Sequence, residues 1–490
     1  MSFADRPLIV VATVCYLAIV TAVGLWSLGR TRDARDFFIA GQRAGLWVTA
    51  LATMSAAFSG FVFLGGPGLT YRIGLASLMI VLPLGFTGGL LCRVLGTRLR
   101  ALAAEQPIYS VPDAFDARFG SRVVTGLATL AVLSGTVAYL GMQLQALGVL
   151  LQAVFGLERG ASAMLLGLAV LVAYSVLGGM VAGVYTDLVQ GGLMMLTGIV
   201  VFLHAVAAAG GWHRTVAAVA ESASFGPQFL EPLGRAAPLT VFGFFFVFGV
   251  GVLGQPQMLH KFYMISDPKK LRWFPLVLSG SQAVCVLLWL GVGLAVPALV
   301  AGGRLAPLER ADEAAVRFLL EFTPELVAGL AVAGILAAIM STADSLLNIG
   351  AVALVRDLPR VLGLGRPEPL AAGRAAVLIV AGLAALLAFR HGGLIAMLGT
   401  MAFGTFGAAL APALAVGFHW RRVGAAAAAA SIATGLVVNL GLELWRPAWL
   451  ADGVLPAAVA LAASFSALFC VAAVIDGAAA GGRRAGSLVK

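Results

Sequence analysis

Apolar residues run along this chain in blocks of about twenty, set apart by short polar breaks. The blocks fall at roughly 7–28, 46–70, 75–97, 122–155, 162–178, 185–209, 238–262, 274–300, 325–355, 370–389, 393–418, 423–445 and 453–475. Most are long enough to cross a bilayer as an α-helix. Thirteen spans are therefore expected, the fifth and sixth divided at Gly178-Gly179. The longest connections, 210–237 and 301–324, each leave room for a short surface helix.

Polar residues inside these blocks are few, and their spacing matters. The ninth span contains Ala338-Ile-Met-Ser341-Thr342-Ala-Asp344-Ser345-Leu-Leu-Asn348. A helix turns about 100° per residue, so Ala338, Ser341, Thr342, Ser345 and Asn348 share one stripe, with Asp344 at its flank. Hydroxyls bonding back to the preceding turn would account for one or two of them. They do not account for a carboxylate at membrane depth, which costs several kcal/mol unless paired, solvated or bound to an ion. An oxygen-lined track beside a carboxylate suits a small hard cation. Of the 22 acidic residues, only Asp187 and Asp344 are placed within spans, which singles both out.

Two spans are interrupted. The second carries Ser55-Ala-Ala-Phe58-Ser59-Gly60 and then Gly65-Gly66-Pro67-Gly68. The seventh carries Phe248-Gly-Val-Gly251-Val252-Leu-Gly254-Gln255-Pro256-Gln257. Glycine and proline at this density weaken a helix. Opened backbone survives in a membrane only where protein or a water-filled cavity satisfies it. The breaks open two sets of five spans, 46–209 and 238–418, and an odd number per set gives the sets opposite orientation. Broken helices at matching positions of two such halves are the best sequence pointer to a transporter's binding site. Gln143, also inside a span, could face a substrate there or bond between helices.

Composition agrees. The 490 residues are 61% hydrophobic and 11% charged, against roughly 25% charged in soluble domains. The net charge of +10 is a matter of topology. With the N-terminus outside, 22 of the 32 Lys and Arg residues, Lys261 among them, fall on one face, which the positive-inside rule makes cytoplasmic. The C-terminus is then cytoplasmic too. The basic excess thus belongs to a bilayer, and nucleic acid is not an expected partner. The Gly249-x-Gly251-x-x-Gly254 match to a dinucleotide fingerprint has no strand before it and is set aside. Four cysteines in apolar runs and five scattered histidines have no ligand spacing.

Four stretches together resemble the sodium:solute symporter family, which includes the sodium/proline and sodium/glucose symporters. They are Asp36-Phe-Phe-Ile-Ala-Gly41-Gln-Arg43, Gly179 through Tyr185-Thr186-Asp187-Leu-Val-Gln190-Gly191, Gly254-Gln255-Pro256-Gln257, and Ala338 through Ser345. The resemblance covers nearly the whole chain. It implies an all-α membrane protein with a LeuT-type five-plus-five inverted repeat, an extra helix at 7–28 and two more at 423–475. It implies a sodium site with Ser55, Phe58 and Ala338 as backbone ligands and Ser341 and Thr342 as hydroxyl ligands. Some members hold a second sodium where Asp187, Asp344 and Ser345 stand.

The departures narrow the solute. The sodium/proline branch has an Asp where this chain has Ala57, and the aromatic residues of its pocket align with Phe248 and Val252. Pro256 is kept. The third span lacks the acidic residue with which sugar symporters of the family meet hydroxyls. The expected activity is not enzymatic. It is sodium-coupled uptake of a small organic solute (a carboxylate, an amino acid or a pantothenate-like molecule) by alternating access. Ser59, Gly60, Gln143, Phe248, Val252, Gln255 and Pro256 are the expected solute contacts. Proton coupling through Asp187 and Asp344, and a transporter-like sensor working with a separate partner, are the alternatives.

Overall fold

The computed structural model describes residues 6–28, 45–157, 161–364, 370–390 and 393–487. The Asp36–Arg43 motif lies outside them. Among the described residues the elements are helices and turns, with no strand. Among the described residues, ten helices are long and apolar enough to cross a membrane, and three shorter apolar ones accompany them, Pro7–Val23, Leu46–Ala57 and Ser162–Val172.

Helix α1 (Pro7–Leu28) precedes the first broken span, built from α2 (Leu46–Ala57) and α3 (Gly66–Ile73). The chain continues through α4 (Leu84–Leu91), α5 (Thr97–Glu105) and the short α6 (Val111–Phe119). Helix α7 (Arg122–Phe155) starts where the Ser121 side chain accepts the Val124 N–H and ends at Gly156, whose φ of 63° stops it.

Helix α8 runs from Ala161 to Ala208 without interruption. Gly178-Gly179, the expected division, is thus helical, although 48 residues at about 1.5 Å each are twice what one crossing needs. Two glycines lower helix propensity by about 1 kcal/mol each but, unlike proline, remove no hydrogen bond. Within α8, Tyr185–Ala208 is long and apolar enough to span.

The 210–237 connection holds α9 (Trp212–Ala220). The second broken span is α10 (Pro238–Val250) followed by α11 (Pro256–Met264). Then come α12 (Phe274–Ala301), α13 (Ala314–Phe322) and α14 (Glu325–Val352), continued by Ala353–Asp357 and α15 (Leu358–Leu362). The chain closes with α16 (Leu370–Arg390), α17 (Ile395–Ala415), α18 (Ala425–Trp445) and α19 (Pro456–Ser487). Helix α13 uses its apolar face as core, with Phe318 and Leu319 fully buried.

Helix α14 is the axis of the molecule. Every residue from Ala331 to Val352 is buried, as expected of a helix surrounded by others. It packs against α1, α2, α7, α8 and α16. Its polar stripe therefore faces protein, and each stripe residue needs a partner there.

The two ends of the molecule are closed differently. At the end rich in arginine, Asp113 of α6 pairs with Arg356 at 2.7 Å and Arg360 at 2.8 Å. Asp116 takes the other arm of Arg360. Arg356 also lies 4.1 Å over the Tyr109 ring, and Ser110 donates to Asp357 at 3.1 Å. At the opposite end, Asp312 joins the α13 connection to α17 by accepting the Ile395 N–H at 3.0 Å. Burial pushes the Asp312 carboxyl up to about 6, against the lowering effect of that hydrogen bond and of Arg310. A cavity of about 570 Å³ opens there, lined by Arg72, Arg235, Arg310 and Asp312 among others.

Candidate functional site

Both expected breaks are present, and each has a local cause. Helix α2 stops at Ala57 because Phe58 turns extended, at φ −95° and ψ 122°. The Ser59 side chain then accepts the Phe61 N–H at 3.1 Å, and a wide turn over Phe61–Gly65 leads into α3. In the second span, α10 tightens through Gly251–Gly254 and Gln255 turns extended, at φ −80° and ψ 103°. Pro256 reopens the helix at its first turn, where its missing N–H costs nothing.

Glycines let neighbours approach these openings. A Cβ on Gly60 would sit 2.5 Å from the Ala146 Cβ, and one on Gly254 would sit 2.5 Å from the Phe406 carbonyl oxygen. Neither position has room for a side chain.

The first opening faces the α14 stripe. The Ser341 hydroxyl is 2.9 Å from the Ser55 carbonyl and 3.2 Å from that of Ala338. The Thr342 hydroxyl is 3.4, 3.2 and 3.2 Å from the carbonyls of Ser55, Phe58 and Ala338. All these groups are buried. The two hydroxyls carry one proton each, which cannot serve every approach at once. The remaining oxygen–oxygen approaches are of the kind a small cation relieves, as in other carbonyl-lined ion sites. The five residues expected to bind sodium thus lie in one cluster.

The second group lies one turn further along α14. Ser345 accepts a hydrogen bond from the Lys261 ammonium at 3.3 Å, and the same ammonium pairs with Asp187 at 2.8 Å. Lys261 and Asp187 are each about 1% exposed. This corrects the counting of Lys261 among the basic residues of the cytoplasmic face. It belongs to α11, whose nine residues are all buried. It stands next to the end of the 238–262 span, close to Lys269, Lys270 and Arg272 in the polar stretch that follows Met264. A cue was available, since Lys261 stands one turn beyond Gln257 on the motif helix. Asp344 packs against α8 at Gly183, where an added Cβ would lie 2.8 Å from its carboxylate oxygen. Gly183 and Asp187 are one turn apart on α8, so the two carboxylates line the same groove.

The expected solute contacts divide. The Gln143 side chain accepts the Gly60 N–H at 3.2 Å and donates to the Ile339 carbonyl at 3.4 Å, joining the first break to α14. Phe248 stacks between Phe61, at 5.6 Å, and Phe403, at 4.4 Å, measured between ring centres. Trp289 meets the Phe61 ring edge-on at 5.9 Å. Sequence reasoning missed Phe61, Phe403 and Trp289, because an aromatic in an apolar run carries no mark of what it faces. Val252 is buried beside this opening, and Gln255 is held by the Phe403 and Gly251 carbonyls at 2.9 and 3.2 Å. Pro256 stands apart, lining a cavity of about 10 Å³ with Tyr109, His260 and Asp357.

The model of the sodium:solute symporter family matches residues 37–435. The chain belongs to that family. Membership makes sodium its co-transported ion and places it among multi-pass membrane transporters. The osmoregulated proline transporter of Bacillus subtilis is 29% identical over 464 residues, covering 89% of this chain and 90% of that one. The sodium/pantothenate symporter of Escherichia coli is 24% identical, covering 88% and 89%. A solved Na+-coupled sialic acid symporter in a substrate-bound outward-open state superposes with a TM-score of 0.74, over 94% of this chain and 97% of that one. At 17% identity it bears on the fold alone, and the fold is the LeuT-type one of this symporter family.

Proposed function

We propose that this chain imports a small carboxylate-bearing organic solute together with sodium, by alternating access. Sodium binds at Ser55, Phe58, Ala338, Ser341 and Thr342. The observation that carries the reading is the convergence of the Ser341 and Thr342 hydroxyls on the Ser55 and Phe58 carbonyls at 2.9–3.4 Å. Those carbonyls belong to the broken helix, so a cation there holds α2 to α14. A ligand shifts an equilibrium only between states it binds differently. The opening of this seam is such a difference.

The solute sits beside the Phe61–Phe248–Phe403 stack, near Ser59, Gly60, Gln143, Val252 and Gln255. Proline and pantothenate, the solutes named for two relatives, both carry a carboxylate. Arg72, Arg235 and Arg310 around the outer cavity favour approach of an anion. The arginine-rich end faces the cytoplasm and the N-terminus lies outside, in keeping with the positive-inside rule. One sodium entering down about 100 mV yields about 2.3 kcal/mol, and a tenfold gradient adds about 1.4 kcal/mol. Together they sustain on the order of 500-fold accumulation of a neutral solute.

The test is ²²Na⁺ binding to purified protein, followed by a screen of carboxylate solutes in proteoliposomes under a sodium gradient. Saturable binding and sodium-dependent uptake are expected. Uptake driven by a pH gradient with sodium absent overturns the reading in favour of proton coupling.

A further inference from the structure

The Lys261 ammonium occupies the space between Asp187 and Ser345, 2.8 Å from the carboxylate and 3.3 Å from the hydroxyl. Those are the partners expected of a second transported cation. We infer that Lys261 is a tethered substitute for a second sodium and fixes this symporter at one sodium per cycle. The inference rests on the function proposed above.

Charge and geometry support it. Asp187, Asp344 and Lys261 are all buried, so their charges must be balanced locally. With both carboxylates ionised, the two of them and one ammonium leave one negative charge. The neutral cradle of Ser341 and Thr342 lies one helical turn away, about 5 Å along α14. A single sodium there completes the balance. Asp187 also keeps a second, buried oxygen, Oδ1, without a hydrogen-bond partner. The groove therefore retains acceptor capacity for a cation if the ammonium is removed. The tether is short, because Lys261 and the break at Gln255-Pro256 belong to the same half-helix. The ammonium stays with the protein through the cycle and cannot be released as cargo.

Lys261→Met keeps the length of the stem and deletes the charge, leaving two uncompensated carboxylates. Equilibrium ²²Na⁺ binding to the purified full chain should give one ion per wild-type protein and two per Lys261→Met protein. The Hill coefficient for sodium should rise from 1 toward 2. Lys261→Arg should keep one ion, since it keeps the charge. Asp187→Asn/Lys261→Met removes the pair together and should also stay at one. It serves as the folded control if the single variant does not purify, and a ratio of two on it counts against the inference. Two ions on wild type, or one ion on folded Lys261→Met, overturns the inference and leaves the proposed function intact. No ion on folded wild type overturns the proposed function itself.

Discussion

Two polar clusters sit one turn apart on α14 and are built in opposite ways. The Ser341–Thr342 cluster uses only neutral oxygens, three of them backbone carbonyls. The Ser345 cluster uses full charges and brings its own cation, Lys261. A neutral ring binds a monovalent ion by dipoles and can release it. A buried ion pair is costly to separate, because each charge left alone must be solvated anew. The first design suits cargo and the second suits a fixture. With sodium at the site proposed above, their closeness on one helix lets the fixture set the local charge against which the cargo binds.

Four variants sharpen that contrast, taken from the largest expected effect to the smallest. Ser341→Ala/Thr342→Ala removes both hydroxyls of the neutral cluster. Sodium affinity should fall at least 100-fold in ²²Na⁺ binding, while the thermal midpoint changes little because small apolar replacements fit the same space. Asp187→Asn strikes the charged cluster and strands a buried ammonium. Breaking such a pair costs about 3–5 kcal/mol, so the variant should lose thermal stability and yield in detergent. A wild-type melting profile would show that the pair is not structural.

Gln143→Ala leaves the Gly60 N–H unsatisfied where the first break meets α14. An orphaned buried donor costs about 1–3 kcal/mol, and half-saturation for the transported solute should rise about tenfold with sodium affinity less affected. Equal losses for both ligands would instead place Gln143 in the seam common to the two.

The smallest effect lies at the outer end. Burial raises the Asp312 carboxyl to about 6 from an ordinary value near 3.8. The folded protein therefore binds more protons here than the unfolded chain between about pH 4 and 6, and this group's contribution to stability falls as pH rises through that window. Asp312→Asn can still accept the Ile395 N–H. It should raise the thermal midpoint slightly at pH 7.5 and converge with wild type only below about pH 3.8. A constant difference across pH would mean that Asp312 does not titrate in that window.

Much of this architecture was legible in the chain. Span positions followed from apolar length, and both breaks from glycine and proline density. The stripe from Ala338 to Asn348 followed from helical spacing, because identical arithmetic governs any buried helix. What escaped the sequence depends on contacts between distant segments. Lys261 was counted with the cytoplasmic cations because charge is rare at membrane depth, and only the approach of α11 to α8 gives it Asp187. The joint at Gly178-Gly179 keeps helical backbone, since glycine loosens a helix without forcing it open. Phe61, Phe403 and Trp289 were hidden among 28 phenylalanines and 8 tryptophans. An aromatic ring acquires a role only from what stacks on it.

The four-residue clasp of Asp113, Asp116, Arg356 and Arg360 carries a kinetic consequence. Arg360 is 35% exposed and Arg356 is 14% exposed at the side chain, so dissolved ions reach part of the clasp. At physiological ionic strength the Debye length is about 8 Å, and it shrinks to about 3 Å at 1 M. Opening this end requires those pairs to part. In the orientation proposed above, cytoplasmic ionic strength is thus a lever on the rate of inward release, acting at a point far from both cargo and fixture.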